Sequence, residues 1–265
     1  MGKNRSYLLR TYAKINLCLD VLFKRPDGFH EIDSLFQNVS LHDDLEVRFV
    51  HGQGRIFVES NVKIDGNILL KVWDLIKPSE LDCYVRLEKK IPMGAGLGGG
   101  SSNAGGFLAL LATHGLISWE KATQIAPLVG SDVPFFLCGG TAIVGGRGEQ
   151  LSHVDPLLGY KLDVIKPDYS ISTKEAYAKL RPELFGKAPL KASQLYEAFK
   201  SRDWQAIKLG VYNVFEYIVP EELRQEIEAF RKEYPAALTG SGSAYFVLRD
   251  GGNYEFVHKA WEVES

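Results

Sequence analysis

Residues 92–103 read Pro-Met-Gly-Ala-Gly-Leu-Gly-Gly-Gly-Ser-Ser-Asn, and this stretch decides how the rest of the sequence is interpreted. Five glycines fall between positions 94 and 100, directly before apolar residues at helical spacing. Backbone N–H groups of such a loop can converge on an anion, and the following helix adds the partial positive charge of its N-terminus. Ser101 and Ser102 stand where N-cap hydroxyls are expected, or where a hydroxyl could reach a phosphate oxygen or its magnesium.

The glycine run does not match two familiar nucleotide loops. No Gly-Lys-Ser/Thr follows at Walker A spacing. The run is one residue short of G-x-G-x-x-G and lacks an acidic residue about 20 positions on. A flexible surface loop is the alternative, but residues 94–106 hold seven glycines, with Gly105 and Gly106 inside the predicted helix. Each costs roughly 0.5–1 kcal/mol wherever alanine could replace it, so phosphate binding is favoured.

On either side of this run, hydrophobic periodicity predicts a mixed chain. Residues 12–23 alternate, with Lys14 and Asn16 on the polar face of a strand, and further strands are predicted at 45–49, 55–59, 84–87 and 141–144. Helices are predicted at 67–77, after the glycine run as far as Gly115, and from about Ser118. In the second half, strands at 162–165 and 244–248 alternate with helices at 173–180, 193–200, 221–233 and 254–262. We place a boundary between domains 1–155 and 156–265.

Composition excludes several classes of protein. The 265 residues carry 31 Lys+Arg and 33 Asp+Glu, for a net charge of −2, whereas domains that coat nucleic acid are usually strongly basic. No stretch approaches the roughly 20 apolar residues of a bilayer span, and no apolar signal-peptide core begins the chain. Three distant cysteines predict neither a disulfide frame nor a zinc site. A cytoplasmic enzyme is expected; residues 1–6 match the loose myristoylation pattern, which arises easily by chance.

Asp132 lies in a second distinctive segment, Gly-Ser-Asp-Val-Pro-Phe-Phe at residues 130–136. Its position between an apolar helix and an aromatic run predicts partial burial, where a carboxylate could accept a proton from a substrate hydroxyl. Alternatively, Asp132 caps a short helix that contains Pro134. The two roles are compatible.

The first strand and its turn form a third segment. A lysine held at position 14 could neutralise a carboxylate or a transferring phosphoryl group, or it could be a solvated residue on a half-exposed strand. Phe29 and His30 offer a stacking ring beside an imidazole that could bind a flat polar ligand. Alternatively, Phe29 belongs to the core and His30 to a hairpin.

Taken in order, five motifs resemble the 4-diphosphocytidyl-2-C-methyl-D-erythritol kinase (CDP-ME kinase) family of the GHMP kinase superfamily. They are Ala-Lys-Ile-Asn-Leu at 13–17, Arg-Pro-Asp-Gly-Phe-His-Glu at 25–31, the runs at 92–103 and 130–136, and Leu-Thr-Gly-Ser-Gly-Ser at 238–243. The resemblance implies an α+β two-domain GHMP kinase fold with an N-terminal ribosomal-protein-S5-like domain and a C-terminal ferredoxin-like domain. It also implies ATP-dependent phosphorylation of the 2-hydroxyl of CDP-methylerythritol in non-mevalonate isoprenoid synthesis, with ATP and Mg²⁺ as cofactors.

The resemblance further implies roles for individual residues. Asp132 is the implied general base, and Lys14 orients the hydroxyl and stabilises charge. The implied cytidine contacts are Asn16, Phe29, His30 and Tyr177, with the rings of Phe29 and Tyr177 on either side of the cytosine. The implied ATP contacts are Pro92, Met93, Gly94, Ala95, Gly96, Leu97, Gly98, Gly99, Gly100, Ser101, Ser102, Asn103, Asn67, Gly240, Ser241 and Gly242. No protein carboxylate is implied as a metal ligand; Ser101 or Ser102 approaches the ATP-bound Mg²⁺. The implied partners are small molecules and include neither nucleic acid nor a membrane. The implied oligomeric state is a monomer or a weak homodimer.

The sequence departs from the family at two places. The family often has tyrosine where this chain has Phe29, and superfamily members commonly read Gly-Leu-Gly-Ser-Ser where Gly99 and Gly100 precede Ser101. Tyr177 could also be a packed helix residue. Two other functions remain open: a homoserine- or mevalonate-type kinase, whose substrates have no base for Phe29 to stack on, and a non-catalytic nucleotide- or RNA-binding S5-like module. The near-neutral charge and the presence of both Lys14 and Asp132 disfavour the second.

Overall fold

Two β-sheets form the framework of the computed structural model, which describes residues 5–264. Most of the N-terminal lipidation pattern therefore lies outside the described residues. The larger sheet has eight strands in the order β12-β1-β2-β4-β3, with β5, β6 and β8 attached beside this path. The smaller sheet has four antiparallel strands in the order β11-β7-β10-β9. Helices complete the α+β architecture.

The strands are β1 (Arg5–Lys24), β2 (His30–His51), β3 (Ile56–Ser60), β4 (Leu81–Glu88), β5 (Thr141–Gly145), β6 (Gln150–Val154), β7 (Lys161–Ile165), β8 (Tyr212–Asn213), β9 (Ala236–Leu238), β10 (Tyr245–Leu248), β11 (Tyr254–Glu255) and β12 (Trp261–Glu264). The helices are α1 (Ile68–Ile76), α2 (Gly99–Thr113), α3 (Trp119–Val129), α4 (Phe135–Cys138), α5 (Thr173–Lys179), α6 (Ala192–Ser201), α7 (Trp204–Gly210) and α8 (Glu221–Arg231). None of the helices within residues 5–264 is long and apolar enough to cross a bilayer.

The long hairpin of β1 and β2 is the backbone of the larger sheet. Its turn follows the sequence, because Gly28 has a φ of 86° and the Asp27 carboxylate accepts a hydrogen bond from the Phe29 N–H at 3.1 Å. The alternative that this face of β1 is exposed to solvent is wrong, because Lys14 and Asn16 are both only 2% exposed. Residues of the second half cover this strand: the Asn16 N–H, for example, donates to the Thr239 hydroxyl at 3.1 Å.

The helix after the glycine run begins earlier than predicted. Its first residue is Gly99, and Gly98 caps it with a φ of 71° and no side-chain hydrogen bond, so the prediction of a serine N-cap is wrong. A left-handed glycine can start the helix without a capping hydroxyl. Ser102 instead lies one turn inside, fully buried, where its hydroxyl donates to the Tyr12 carbonyl at 2.6 Å.

Close packing explains the glycines in the middle of α2. A Cβ atom on Gly105 would lie 2.5 Å from the Phe136 Cβ and 2.9 Å from the Phe136 carbonyl carbon. These distances leave no room for a methyl group, so α2 approaches α4 through bare backbone. Gly100, on the same helix, has no atom within 4 Å of such a Cβ.

We expect Gly105→Ala to lower the free energy of unfolding by about 1–3 kcal/mol through overpacking. Gly100→Ala is the matched control, because alanine fits there and has the higher helix propensity by up to about 1 kcal/mol. Urea denaturation of both variants measures the difference. Equal stabilities for the two variants would show that α2 and α4 do not pack as described.

The end of the chain contradicts the predicted helix at 254–262. This segment forms β11, a loop and β12, which pairs with β1 from Leu8 to Thr11. Apolar residues at helical spacing are present, but pairing with the edge of β1 overrides this local pattern. The short strand β8 also pairs with β1. The larger sheet thus takes strands from both halves, and the division at 155/156 stays a prediction.

Candidate active site

The glycine run and Asp132 lie on one cleft of about 480 Å³. Nearly the whole run from Pro92 to Asn103 lines it, apart from the buried Ser102. The other lining residues come from distant parts of the chain and include Lys14, Asn16, Phe36, Asn67, Lys89, Asp132, Arg147, Thr173, Tyr177, Phe215, Gly240 and Ser241. The fold therefore brings the glycine run and a carboxylate together, as the predicted chemistry needs.

Two glycine loops interlock in this cleft: the first is the glycine run at residues 94–100, and the second is residues 239–242. A Cβ atom on Gly96, whose φ is 76°, would overlap the Thr239 carbonyl oxygen. A Cβ atom on Gly240 would lie 2.8 Å from the Gly96 Cα. The Lys14 N–H donates to the Leu97 carbonyl at 3.0 Å, which fixes the first loop to β1. The glycines are thus required by close backbone approach as well as by any ligand.

Lys14 projects its ammonium group into the cleft from β1. The Nζ donates to Asn16 Oδ1 at 2.6 Å, lies 4.7 Å from the centre of the Phe36 ring, and is 4.0 Å from Asp132 Oδ2. Burial lowers the pKa of Lys14, and the Asp132 carboxylate opposes this shift. The alternative of a solvated strand lysine is therefore wrong. A buried cation beside a carboxylate is instead suited to holding a developing negative charge.

Asp132 faces Lys14 from the turn before α4. The cap of α4 is Pro134, without a side-chain hydrogen bond, so the N-cap alternative is wrong; Val133 and Pro134 separate Asp132 from the helix. Its side chain is 32% exposed, and its one polar side-chain partner among residues 5–264 is Lys14. The carboxylate is therefore free to accept a proton from a bound ligand.

Asn16 uses most of its polar atoms within the protein. Its Oδ1 accepts from Lys14 Nζ and from the Gly240 N–H at 2.8 Å, and its Nδ2 donates to the Ser34 hydroxyl at 3.0 Å. Asn16 thus links the lysine to the second glycine loop. The predicted contact with cytidine stays a prediction.

The residues predicted to hold a base lie in two groups. The His30 ring stacks on Tyr177 at a centroid distance of 5.1 Å, and Tyr177 lines the cleft. Phe29 is 48% exposed and does not contact Tyr177 in this structure; the Arg147 guanidinium lies 4.7 Å from its ring centre. Phe29 is not among the residues that line the cleft, and the predicted position of a base between Phe29 and Tyr177 stays a prediction.

The environment of His30 favours its neutral form. Burial, with a smaller contribution from Lys24, lowers the pKa of His30. The imidazole is therefore neutral near pH 7, with one nitrogen donating and the other accepting. Burial and the nearby Asp132 raise the pKa of Tyr177, whose phenol stays protonated.

The remaining predicted residues divide between the cleft and its support. Ser101 lines the cleft, whereas Ser102 is bonded to Tyr12. Asn67 lines the cleft and also caps α1 by accepting from the Leu69 N–H at 3.0 Å. Ser241 lines the cleft and its hydroxyl lies 2.9 Å from that of Thr173, but Gly242 does not reach the lining.

Three polar lining residues were not identified from the sequence. Lys89 precedes the glycine run, Arg147 lies in a Gly-Gly-Arg-Gly turn, and Thr173 begins α5. A cationic side chain directly beside a glycine-rich segment is a usable signal for the first two. Thr173 carried no local signal, because its place in the cleft depends on how the two sheets are arranged.

Comparison with known proteins gives this geometry a family. A family model described as "GHMP kinases N terminal domain" matches residues 67–140. The 4-diphosphocytidyl-2-C-methyl-D-erythritol kinase of Fervidobacterium nodosum is 53% identical, with 100% of this chain and 98% of the relative covered. That of Thermosipho africanus is 47% identical over 100% of this chain and 99% of the relative. The chain belongs to the 4-diphosphocytidyl-2-C-methyl-D-erythritol kinase family.

Solved structures agree with this assignment. A crystal structure of a 4-(cytidine 5'-diphospho)-2C-methyl-D-erythritol kinase superposes with a TM-score of 0.71 at 29% identity and covers 93% of this chain and 90% of its own. A homoserine kinase from Cytophaga hutchinsonii has a TM-score of 0.67 at 15% identity, covering 98% and 97%, which shows the shared fold. The predicted family, the GHMP kinase fold and the assignment as an ATP-using phosphotransferase are confirmed, and the non-catalytic alternative is wrong.

Proposed function

We propose that this chain transfers the γ-phosphoryl group of ATP, bound with Mg²⁺, to the 2-hydroxyl of 4-diphosphocytidyl-2-C-methyl-D-erythritol. One observation carries the proposal: the glycine run, Lys14 and Asp132 line a single cleft. Phosphoryl transfer needs mostly positioning and charge stabilisation, so these groups and the metal ion suffice. The near-neutral charge fits a cytoplasmic enzyme whose partners are small molecules.

In this proposal, each side of the cleft has a separate task. Backbone N–H groups of residues 94–100 and the N-terminus of α2 hold the phosphates of ATP. Asp132 accepts the proton of the acceptor hydroxyl, whose oxygen forms a bond to the γ-phosphorus while the bond to the bridging oxygen breaks and ADP leaves. Lys14 orients the hydroxyl and compensates the charge that develops on the transferring group.

The residues present suit a magnesium ion that arrives with ATP. No group of three or more His, Cys, Asp or Glu side chains within residues 5–264 is arranged to hold a metal. Ser101 offers a hydroxyl on the cleft, and Ser102 is unsuited because its hydroxyl is bonded to Tyr12. When bound, the metal supplies charge neutralisation at the phosphate oxygens.

The proposal is tested by incubating the protein with ATP, Mg²⁺ and separate alcohols: CDP-methylerythritol, homoserine and mevalonate. Phosphorus NMR identifies which alcohol gains a phosphomonoester and at which carbon. We expect only the cytidine diphosphate ester to react, at its 2-hydroxyl. Preferential phosphorylation of homoserine or mevalonate would contradict the proposed substrate, although the family would be unchanged.

Phe29→Ala is expected to weaken binding of the cytidine substrate by about 1–3 kcal/mol, the usual contribution of a base stacked on an aromatic ring. The KM for CDP-methylerythritol should rise accordingly, while the KM for ATP should not change. Phe23→Ala is the matched control, because Phe23 is on the same hairpin and is 52% exposed, whereas the Phe29 ring lies 4.7 Å from the guanidinium of Arg147, which lines the cleft. An unchanged substrate KM in Phe29→Ala would show that this ring does not stack on the base.

A further inference from the structure

Asp43 is a fully buried carboxylate on β2 that none of the steps above uses. Its Oδ1 accepts from the N–H groups of Lys90 and Ile91, each at 2.8 Å. Its Oδ2 accepts from the Lys89 ammonium group and from Asn103 Nδ2 at 2.9 Å. Four donors on one carboxylate, one of them a cation, satisfy the charge that burial would otherwise make costly.

These donors flank the glycine run on both sides. Lys89, Lys90 and Ile91 come directly before Pro92, and Asn103 is its last residue, within α2. The Asp43 side chain on β2 therefore joins two segments. One is the segment after β4 that leads into the glycine run, and the other is α2, which follows the run. Glycine-rich segments lose much conformational entropy when they become ordered. Fixing both ends of the glycine run therefore reduces the entropy that is lost when a nucleotide binds.

Lys89 connects this anchor to the cleft itself. The Lys89 ammonium group lines the cleft, and a Cβ atom on Gly99 would lie 2.6 Å from its Nζ. A cation at the start of a helix is unfavourable unless an anion offsets both positive charges. Burial lowers the pKa of Lys89, and Asp43 opposes that shift. The Asp43 carboxylate thus holds the Lys89 side chain in place where phosphates are proposed to bind.

We propose that Asp43 is a positioning residue for the nucleotide: it holds the two ends of the glycine run and the Lys89 ammonium group in the arrangement that binds ATP. The inference rests on the proposed function, because it assumes that the glycine run binds the phosphates. Asp43 does not line the cleft and therefore acts through its partners. It serves the ATP half of the site and not the acceptor half.

The test is steady-state kinetics of Asp43→Asn with both substrates varied. The remaining oxygen of asparagine can still accept from the Lys90 and Ile91 N–H groups, but its amide N–H groups face the donors of Lys89 and Asn103. The bonds to the cation and to α2 are therefore lost, and loss of hydrogen bonds to a charged group should raise the KM for ATP about tenfold or more. The KM for CDP-methylerythritol should stay within about twofold of wild type. A purely structural role would lower stability without separating the two KM values.

Asp82→Asn provides the matched control. Asp82 is also buried in the larger sheet and accepts from the Gln53 and Arg55 N–H groups at 2.8 and 2.9 Å and from the Arg55 guanidinium. It does not line the cleft. We expect Asp82→Asn to lower the thermal midpoint as Asp43→Asn does, with both KM values unchanged. Equal effects of the two variants on the KM for ATP would overturn the inference.

A second variant covers the case in which Asp43→Asn does not fold. Asn103→Ser removes the bonds from Asn103 Nδ2 to Asp43 and to the Thr11 hydroxyl and should raise the KM for ATP by about threefold, less than the full loss of a hydrogen bond to a charged group. An unchanged KM for ATP in that variant would also contradict the inference. Calorimetric titration with MgATP alone separates this inference from the proposed function. If the wild type phosphorylates none of the alcohols, the proposed substrate is refuted. If it nevertheless binds MgATP more tightly than Asp43→Asn does, the positioning role of Asp43 is supported.

Discussion

Replacing Asp132 by asparagine is expected to lower kcat by about 10²–10⁴-fold, the usual contribution of a positioned general base. Asparagine has the same size and keeps the cleft intact, but its amide cannot accept the hydroxyl proton. The carboxylate lies 4.0 Å from Lys14 and has no helix to cap, so little stability should be lost. The KM for ATP should stay nearly unchanged, because in this proposal the phosphates are held by the glycine run.

The measurement is single-turnover kinetics at saturating ATP, which separates the chemical step from product release. Asp155→Asn, at an exposed carboxylate outside the cleft, controls for the change in net charge. Near-wild-type turnover in Asp132→Asn would remove Asp132 from the mechanism. Asp132→Ala should give a loss in the same range.

Lys14→Met is expected to lower kcat by about 10²–10³-fold, as does removal of a single group that stabilises transition-state charge. Methionine fills a similar volume without the ammonium group, which in wild type is bonded to Asn16 and lies near Asp132. Both KM values should change less than kcat, because the charge matters most as the phosphoryl group is transferred. Rate measurements with each substrate varied distinguish these effects.

Lys90→Met is the matched control for this lysine. Its ammonium group bonds to Asp44 at 2.6 Å outside the cleft, so the charge change is the same without loss of a cleft residue. In a double variant with Asp132→Asn, we expect a loss smaller than the product of the single losses, since groups that act as a unit are not additive. Full multiplicative losses would show that Lys14 and Asp132 act independently.

The sequence predicted the elements that depend on local order. The hairpin turn at 26–28, the helix from Asn67 and the helix that follows the glycine run all have signals that act over a few residues. The glycine run was also predictable from local sequence. Positions that need a positive φ, or that lie close to another backbone segment, favour glycine, and the glycines are visible in the sequence. Its assignment to phosphates became specific only through the order of all five motifs.

Burial and long-range pairing could not be predicted from these local signals. Lys14 alternates with apolar residues as a solvated lysine would, and its burial depends on the second half packing over β1. The final segment has helical spacing, yet it pairs as β12 with the edge of β1. In both cases tertiary contacts override the local pattern.

The supporting residues of the site were missed for a related reason. Asp43 gave no signal in the sequence, because its four donors lie on segments that meet it only in the folded protein. Phe29 gave a signal of stacking on a base, which stays a prediction, but nothing in the sequence indicated that the Arg147 guanidinium lies against its ring. The sequence thus identified the residues suited to the chemistry, but it did not identify the side chains that surround them.

A crystal structure with a non-hydrolysable ATP analogue, Mg²⁺ and CDP-methylerythritol tests the central claim most directly. The account predicts that the terminal phosphate lies against the N–H groups of residues 94–100, with the 2-hydroxyl of the acceptor between it and the Asp132 carboxylate and within hydrogen-bond distance of the latter. Phosphates held away from residues 94–100, or an acceptor hydroxyl that points away from both Asp132 and Lys14, would contradict it.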